Sequence, residues 1–515
     1  MANNLIWVVI AFVVYCAAMI AVGAFFYKRS SNLTDYFLGG RNLNAWVAAL
    51  SAQASDMSGW LLMGLPGAVY AAGTGQLWIA VGLAIGTVLN WIIVAKPLRR
   101  YTVVAGNSIT IPEYLENRFH DTSKVIRIAS AVFIAIFFAV YTASGFVAGA
   151  KLFLQVFGVP YQLSLVIGVA IILVYTFLGG FHAVCWTDLI QGLLMFAAIL
   201  LVPILAYATI ADAGALPAGF TDILGDGAGG TQSGIGIVSQ LAWGLGYFGM
   251  PHILVRFMAI KSDKLVKRSA AIAIIWVLIS LSMAIVVGAV GKMSLSAEQL
   301  GDAENVFIAL IQRLFMGLGG EAAVVYAPLL GGLFLCGILA AIMSTSDSQL
   351  LVTASSFTSD IYKTALNKNA GDKHLLWVSR ISVIVIALIA YLIATNQNSS
   401  VMGLVSNAWS GFGSTFGAVV LLSLYWKRIN RAGAAAGLLG GGLTVIVWDY
   451  IPVAGATLGS STGLYSLAIG FAVSLVLAVC FSLGSQQPDE KMLEEFALVK
   501  SSEDVDALYL EQAKP

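Results

Sequence analysis

Charged side chains are scarce in this chain: Asp, Glu, Lys and Arg make up only 10% of its 515 residues. A soluble globular protein carries about 25%. Apolar residues make up 59% of the chain instead. At about 20 residues for each membrane-crossing helix, this content is enough for many spans and leaves little chain for a soluble domain. The sequence therefore predicts an all-α polytopic membrane protein.

An excess of positive charge, a cysteine framework and a phosphate-binding loop are also lacking. The 27 basic and 26 acidic side chains give a net charge of +1, which argues against nucleic-acid binding. The four cysteines lie in or beside apolar stretches without metal-ligand spacing, which predicts buried thiols and no disulfide framework. The sequence contains no Walker-type motif, so we do not expect ATP-driven transport.

Charge-free runs predict about thirteen transmembrane helices. We place them at about 5–27, 43–70, 77–97, 125–154, 161–178, 187–208, 235–257, 270–291, 323–352, 376–395, 402–425, 432–451 and 461–484. With the N-terminus outside and the C-terminus in the cytoplasm, 24 of the 27 basic residues, Arg256 among them, fall in cytoplasmic loops or the tail, as the positive-inside rule requires. The acidic tail after Pro488 is predicted to be solvated and mobile.

Three carboxylates, Asp56, Asp188 and Asp347, fall within or at the end of apolar spans. A charge at the centre of a bilayer costs at least about 2.5 kcal/mol, so each of them needs a compensating partner. Asp56 lies in a long span that also contains Pro66 and Gly67, which indicates a broken helix whose free carbonyls can bind a cation. The alternative is a carboxylate that simply hydrogen-bonds a neighbouring helix.

A second interrupted span, from Trp243 to Pro251, follows the first at a distance of five predicted spans. Interruptions at matching positions are typical of inverted-repeat transporters. We therefore expect two five-helix halves, at 43–208 and 209–425. Residues 1–42 would supply an extra helix and the first cytoplasmic loop, 426–485 two further helices, and 486–515 the acidic cytoplasmic tail.

The ninth predicted span ends in a cluster of oxygen-bearing side chains, which includes Ser344, Asp347 and Ser348 on one helical face. Hard oxygen ligands suit Na⁺, although such hydroxyls also bond back to carbonyls one turn earlier. Aromatic residues lie near the same polar centres, where they would either line a site for a small amphipathic solute or serve only in packing: Trp60, Tyr141, Trp243 and Tyr247.

Several segments together resemble the sodium/solute symporter family and, within it, the bacterial sodium/proline symporters: Asp35–Arg41, Ala54–Trp60, Gly179–Asp188, Gly244–Pro251 and Ala341–Gln349. The resemblance implies a LeuT-type fold with a five-plus-five inverted repeat. It also implies symport of L-proline with Na⁺ into the cell by alternating access, in a bacterial inner membrane, without enzymatic activity, a cofactor or an obligate protein partner. Another amino acid, a carboxylate or a sugar remains an alternative solute, and a non-transporting solute sensor is an alternative function.

The same resemblance implies the residues of each site. The sodium ligands would be the carbonyls of Ala54, Met57 and Ala341 and the hydroxyls of Ser344 and Thr345. Asp56 would support this site, and Arg41 and Asp188 would serve coupling or the inner ion route. The solute would contact Ser58, Gly59, Trp60, Tyr141, Trp243, Tyr247 and Pro251. Asp347 departs from the family pattern, so with Asp188 it would form another cation or proton site, or it would face the cytoplasmic exit. Ser348 would support the sodium site or line the ion pathway.

Overall fold

The computed structural model describes residues 2–27, 33–178, 180–209, 215–227, 229–317, 326–453, 455–501 and 503–507. Gly179, the start of the predicted ninth span (323–325) and the last eight residues of the tail (508–515) lie outside the described residues. The described part is mainly helical. Two short strands, Pro452–Val453 and Ala456–Thr457, pair in antiparallel orientation.

Ten helices among the described residues are long and apolar enough to cross a membrane, so the protein is a multi-pass membrane protein. They are Asn4–Phe25, Thr74–Val104, Val125–Phe157, Phe181–Ala208, Asp263–Ser294, Ala327–Leu366, Asp372–Ala394, Val401–Tyr425, Arg431–Tyr450 and Ser466–Leu483. The other predicted spans coincide with the 18-residue helix Tyr161–Leu178 and with two interrupted helices. The number of thirteen therefore stays a prediction.

The first interrupted helix, called here the first broken helix, begins where the side chain of Asn44 caps the backbone N–H groups of Trp46 and Val47. Its first half is Ala45–Asp56. At Met57 the backbone leaves helical geometry, with φ −80° and ψ 70°. The chain then resumes as Trp60–Gly64 and Leu65–Ala72. The predicted break beside Asp56 is thus present.

The second broken helix consists of Gly234–Leu241, the tighter 3₁₀ segment Ala242–Gly249 and the final segment Pro251–Ala259. The break lies at Met250, whose ψ of 105° is extended, and Pro251 restarts the helix at its first turn, where the missing N–H costs nothing. The predicted second interruption is therefore also present.

The two broken helices meet end to end through their backbones. The N–H of Leu43 donates to the carbonyl of Ala259 at 3.1 Å, and the N–H of Lys261 donates to the carbonyl of Leu43 at 3.0 Å. The end of the second broken helix is thereby fixed beside the start of the first. The helix Tyr326–Ser355 closes the group by packing against the first broken helix as well as Ala2–Tyr27, Val125–Phe157 and Phe181–Thr209.

Shorter helices and distortions complete the described fold. Connecting helices lie at Leu33–Leu38, Gly39–Arg41, Ile111–Arg118, Ala297–Leu300, Ala303–Asn305, Val306–Met316, Leu458–Thr462 and Glu490–Lys500. Within the long helices, π-helical turns occur at Asn90–Val94, Ser356–Leu366 and Gly413–Gly417. Such turns interrupt the regular hydrogen-bond ladder and are frequent at functional sites.

The acidic tail is docked against the protein as far as it is described, so the predicted solvated and mobile tail is wrong there. The helix Glu490–Lys500 buries Met492, Phe496 and Val499, which share one face. The guanidinium of Arg100 donates to the carbonyl of Val499 at 2.8 Å, and Arg99 pairs with Asp506 at 2.7 Å. The apolar spacing of this helix and its basic counterpart explain the docking.

Gly246 is required by a close approach between helices. A Cβ atom at this position would lie 2.0 Å from Nε1 of the buried Trp409. We expect Gly246→Ala to lower the unfolding midpoint of the purified protein, at a cost of about 1–3 kcal/mol or more, because the overpacked indole must shift.

Gly234→Ala is the matched control, since a Cβ there meets nothing within 4 Å in the first turn of the same broken helix. Thermal unfolding in detergent measures both variants. Equal midpoints for the two would contradict this packing.

Candidate functional site

The first broken helix and the helix Tyr326–Ser355 are joined at the break by hydroxyl groups. The Ser344 hydroxyl donates to the Ala54 carbonyl at 2.8 Å, and the Thr345 hydroxyl lies 3.3 Å from the same oxygen. Ser344 Oγ is also 3.3 Å from the Ala341 carbonyl. Ala54, Ala341, Ser344 and Thr345, four of the residues that the family resemblance implies for the sodium site, thus lie close together. Their oxygens are neutral and hard, which suits Na⁺.

Met57 lies at the end of the first half of the same broken helix. Its backbone N–H donates to the Gln53 carbonyl at 2.8 Å, and its side chain is fully buried. Within the described part of the chain, no hydrogen bond links Met57 to Ser344 or Thr345. Its carbonyl is therefore next to the cluster along the chain, but it is not drawn into the hydrogen bonds that Ala54 makes.

Asp56 connects the two broken helices. The Tyr247 hydroxyl donates to Asp56 Oδ2 at 2.7 Å. At the break, the Asp56 carbonyl accepts from the backbone N–H of Ser58 at 2.9 Å, from the Tyr141 hydroxyl at 3.2 Å and from Nε1 of Trp60 at 3.0 Å. Asp56 Oδ1 is buried and has no hydrogen-bond partner among the described residues. Four predicted site residues thus form one cluster, whose only charged side chain has a free acceptor.

Trp243 belongs to a second cluster of aromatic side chains, whose other members the sequence analysis missed. Its ring stacks on Tyr465 with centroids 5.4 Å apart, and its carbonyl accepts from Nε1 of Trp409 at 2.7 Å. Trp409 also makes an edge contact with Tyr247 at 5.1 Å. Trp409 and Tyr465 come from helices far along the chain, and their local sequence carries no signal that would assign them to this site.

The remaining predicted solute residues line the two breaks. Ser58 is buried, and its hydroxyl lies 3.4 Å from the backbone N–H of Trp60. A Cβ on Gly59 would lie 2.8 Å from Cβ of Ala148, so this glycine permits the fourth span to approach closely. Pro251 is buried at the first turn of its segment. These residues therefore shape the breaks, and no described hydrogen bond from their side chains reaches the carboxylate of Asp56.

Asp188 pairs with Arg256 in a fully buried ion pair, with Nη2 and Oδ2 3.2 Å apart. The Ser51 hydroxyl donates to the same carboxylate at 2.6 Å, and Nη2 of Arg256 also donates to Ser348 Oγ at 2.5 Å. The sequence analysis counted Arg256 among loop residues, which is wrong. The guanidinium is completely buried because Asp188 compensates its charge.

Asp347 lies at the edge of this ion pair on the ninth span. Its Oδ1 is 3.3 Å from the Ser348 hydroxyl, while its Oδ2 has no partner among the described residues. Asp188 and Asp347 are both fully buried, and the Ser348 hydroxyl connects Asp347 to the Arg256 guanidinium. If all three groups are ionised, the cluster has a net charge of −1, which leaves room for one further monovalent cation or proton.

Arg41 is buried away from these carboxylates and fixes a turn instead. Its Nη1 donates to the Met258 carbonyl at 2.7 Å, at the end of the second broken helix. Its Nη2 donates to the Ser108 carbonyl at 2.7 Å, and its Nε donates to Asn107 at 2.9 Å. Arg41 therefore connects the second broken helix with the segment that follows the third span.

Comparisons with known proteins agree with this arrangement. Residues 36–441 match the family model described as the sodium:solute symporter family. The chain is 45% identical over 483 residues to the high-affinity proline transporter PutP of Bacillus subtilis, covering 93% of this chain and 98% of that protein. It is 43% identical over 504 residues to the sodium/proline symporter of Escherichia coli K12, covering 95% of each.

Solved structures share the fold at low sequence identity. A Na⁺-coupled sialic acid symporter in a substrate-bound, outward-open state superposes with a TM-score of 0.74 at 19% identity, covering 94% of this chain and 99% of that one. Mhp1, a nucleobase-cation-symport-1 family transporter, superposes with a TM-score of 0.54 at 14% identity, covering 90% and 98%. These likenesses confirm the predicted LeuT-type fold.

Arg256→Met tests the buried ion pair. Removing the guanidinium leaves the charge of Asp188 buried and uncompensated, so we expect a loss of about 3–5 kcal/mol of stability, seen as a lower unfolding midpoint in detergent. The double variant Arg256→Met with Asp188→Asn should recover most of that loss, because the uncompensated charge is gone.

Arg428→Met serves as the control for loss of an arginine, because Arg428 only donates to the carbonyls of Ser485 and Gln486 near the surface. The pairing is contradicted when the double variant is no more stable than Arg256→Met alone.

Proposed function

Because this chain belongs to the sodium:solute symporter family, we propose that it carries L-proline into the cell together with Na⁺ by alternating access. That membership confirms the prediction of a membrane transporter, not an enzyme, with Na⁺ as the coupling ion. Proline is proposed because relatives with 45% and 43% identity are named a proline transporter and a sodium/proline symporter. The alternatives, another small solute or a sensor that does not transport, have no comparable support.

The observation that carries the proposal is the pair of hydroxyls on the Ala54 carbonyl. Ser344 and Thr345 approach this oxygen at 2.8 and 3.3 Å, at the break of a membrane helix. A Na⁺ ion would replace these hydrogen bonds by ligation to the same oxygens. The full proposed ligand set is the carbonyls of Ala54, Met57 and Ala341 and the hydroxyls of Ser344 and Thr345.

The solute is proposed to lie between the two broken helices, next to this ion. Its carboxylate would face the start of the half-helix Trp60–Ala72, where free N–H groups and the helix dipole favour negative charge. The proposed contacts are Ser58, Gly59, Trp60, Tyr141, Trp243, Tyr247 and Pro251. Because the ion and the solute would share the first broken helix, either one orders the geometry that the other needs.

The buried charges are proposed to serve the ion route. Asp56 would increase Na⁺ affinity through its nearby negative charge, while Asp188, Asp347 and Ser348 would line the inner path. Arg41 would contribute to coupling, since it bonds the end of the second broken helix. Each Na⁺ that enters an inside-negative cell contributes about 2.3 kcal/mol per 100 mV to solute accumulation.

The proposed topology has the N-terminus outside a bacterial inner membrane and the C-terminus in the cytoplasm. The inverted repeats would span residues 43–208 and 209–425, preceded by 1–42 and followed by the two helices of 426–485 and the tail of 486–515. The two breaks support these bounds, because each lies in the first span of its proposed half.

The direct test is uptake by the purified protein in proteoliposomes. We expect an inward Na⁺ gradient to drive accumulation of labelled L-proline, and an inside-negative potential to increase it. Unlabelled amino acids, carboxylates and sugars at equal concentration would identify the solute by competition. Proline uptake that does not respond to the Na⁺ gradient would overturn the proposal, and binding without uptake would favour the sensor.

Thr345→Ala tests the proposed sodium site. Loss of one neutral ligand should raise the apparent Na⁺ constant for proline uptake about tenfold or more, which corresponds to about 1.4 kcal/mol. Thr353→Ala is the matched control on the same helix, because the Thr353 hydroxyl only donates to the Gln349 carbonyl one turn earlier. Similar apparent Na⁺ constants for both variants would show that the sodium site lies elsewhere.

A further inference from the structure

We propose that the carboxylate of Asp56 receives the secondary ammonium group of L-proline and so selects amino acids over solutes without a positive charge. This inference depends on the proposed function, because it concerns the same solute. It assigns Asp56 a direct contact with the solute in addition to its proposed support of the sodium site.

The direction of the Asp56 side chain is the first observation. The Ala54 carbonyl is bonded by Ser344 and Thr345 of the ninth span. The Asp56 carboxylate extends instead to the second broken helix, where Tyr247 donates to it at 2.7 Å. Among the described residues, no hydrogen bond joins this carboxylate to the hydroxyls proposed to bind Na⁺. The charge of Asp56 is therefore directed at the proposed solute side of the break.

The free acceptor is the second observation. Asp56 is fully buried, and its Oδ1 has no hydrogen-bond partner in the described part of the chain. An ionised carboxylate in such a place is stabilised by a hydrogen-bonded cation, because desolvation of an unpaired charge costs several kcal/mol. The side chain has one described donor, the neutral hydroxyl of Tyr247. Oδ1 of Asp56 can therefore accept a hydrogen bond from a positively charged donor.

The protein does not supply this cation from its described residues. No described ion pair includes Asp56, and the buried guanidinium of Arg256 is bound to Asp188. His252 is buried one turn before Arg256, beside Tyr141 with ring centroids 6.1 Å apart, and its ring makes no described hydrogen bond to Asp56. A cation at Asp56 would therefore come from a bound ligand, either Na⁺ or the solute.

A secondary ammonium group is chemically suited to bind Oδ1 of Asp56. It carries one positive charge and two N–H donors, and a charge-assisted bond to a carboxylate is about twice as strong as a neutral one. The aromatic groups that surround Asp56, namely Tyr141, Trp60 and Tyr247, would pack against the apolar ring carbons. A sugar or simple carboxylate offers no cation, and an anion would meet Asp56 as a like charge.

The test compares L-proline with (S)-tetrahydrofuran-2-carboxylate, which has an ether oxygen in place of the ammonium group. Binding of each to the purified protein is measured at saturating Na⁺, by displacement of labelled proline. We expect the wild-type protein to bind the analogue at least about 100-fold more weakly, because a site built for an N–H donor rejects a ligand without one.

In Asp56→Asn we expect this ratio to fall below about 5-fold or to invert. The ratio cancels any general loss of Na⁺ affinity, since that loss affects both ligands equally. Asp347→Asn is the matched control, as it removes another fully buried carboxylate, and it should keep the wild-type ratio. Asp56→Glu retains the charge and should keep the preference for proline.

Two results would overturn the inference alone: comparable binding of both ligands by the wild-type protein, or an unchanged ratio in Asp56→Asn. The first of these needs no variant, so a variant that fails to fold does not leave the inference untested. If the wild-type protein binds no proline at saturating Na⁺, the proposed function fails as well.

Discussion

The Ala54 carbonyl at the break of the first broken helix is the constraint around which the site is built. A free backbone carbonyl inside a membrane must find a partner, because lipid offers none. Ser344 and Thr345 provide it from the ninth span, nearly 300 residues away. The same break turns the Asp56 carbonyl out of the helical ladder, where it accepts from the backbone of Ser58 and from the side chains of Tyr141 and Trp60. One interruption of a helix thereby determines which spans meet and which oxygens remain available for an ion.

The second broken helix is bonded to the first at more than one place. Tyr247 reaches Asp56, and the backbone of Leu43 is bonded to Ala259 and Lys261. The breaks are therefore held together both at the carboxylate and at the ends of their helices. Arg256 of the second broken helix adds a further link, since it donates to Ser51 of the first broken helix as well as to the buried Asp188 and to Ser348.

Most of the site could be predicted because its signals are local. Asp56 in an apolar span, Pro66 and Gly67 beyond it, and the hydroxyls of the ninth span each conflict with an ordinary membrane helix, and each conflict marks the site. Arg256 was misplaced because basic residues were assigned to loops, although the predicted span 235–257 already contained it. Its partner Asp188 is 68 positions away, so only the folded chain shows the pairing. Trp409 and Tyr465 were missed for the same reason. The tail was wrongly predicted to be mobile, because its acidic composition was considered and the helical spacing of Met492, Phe496 and Val499 was not.

The most direct measurement is a structure of the protein determined with both Na⁺ and L-proline bound. The account predicts Na⁺ between the Ala54 carbonyl and the hydroxyls of Ser344 and Thr345, with the proline ring between the broken helices and its ammonium group on Asp56. Na⁺ bound only between Asp188 and Asp347, with proline away from Asp56, would contradict the account.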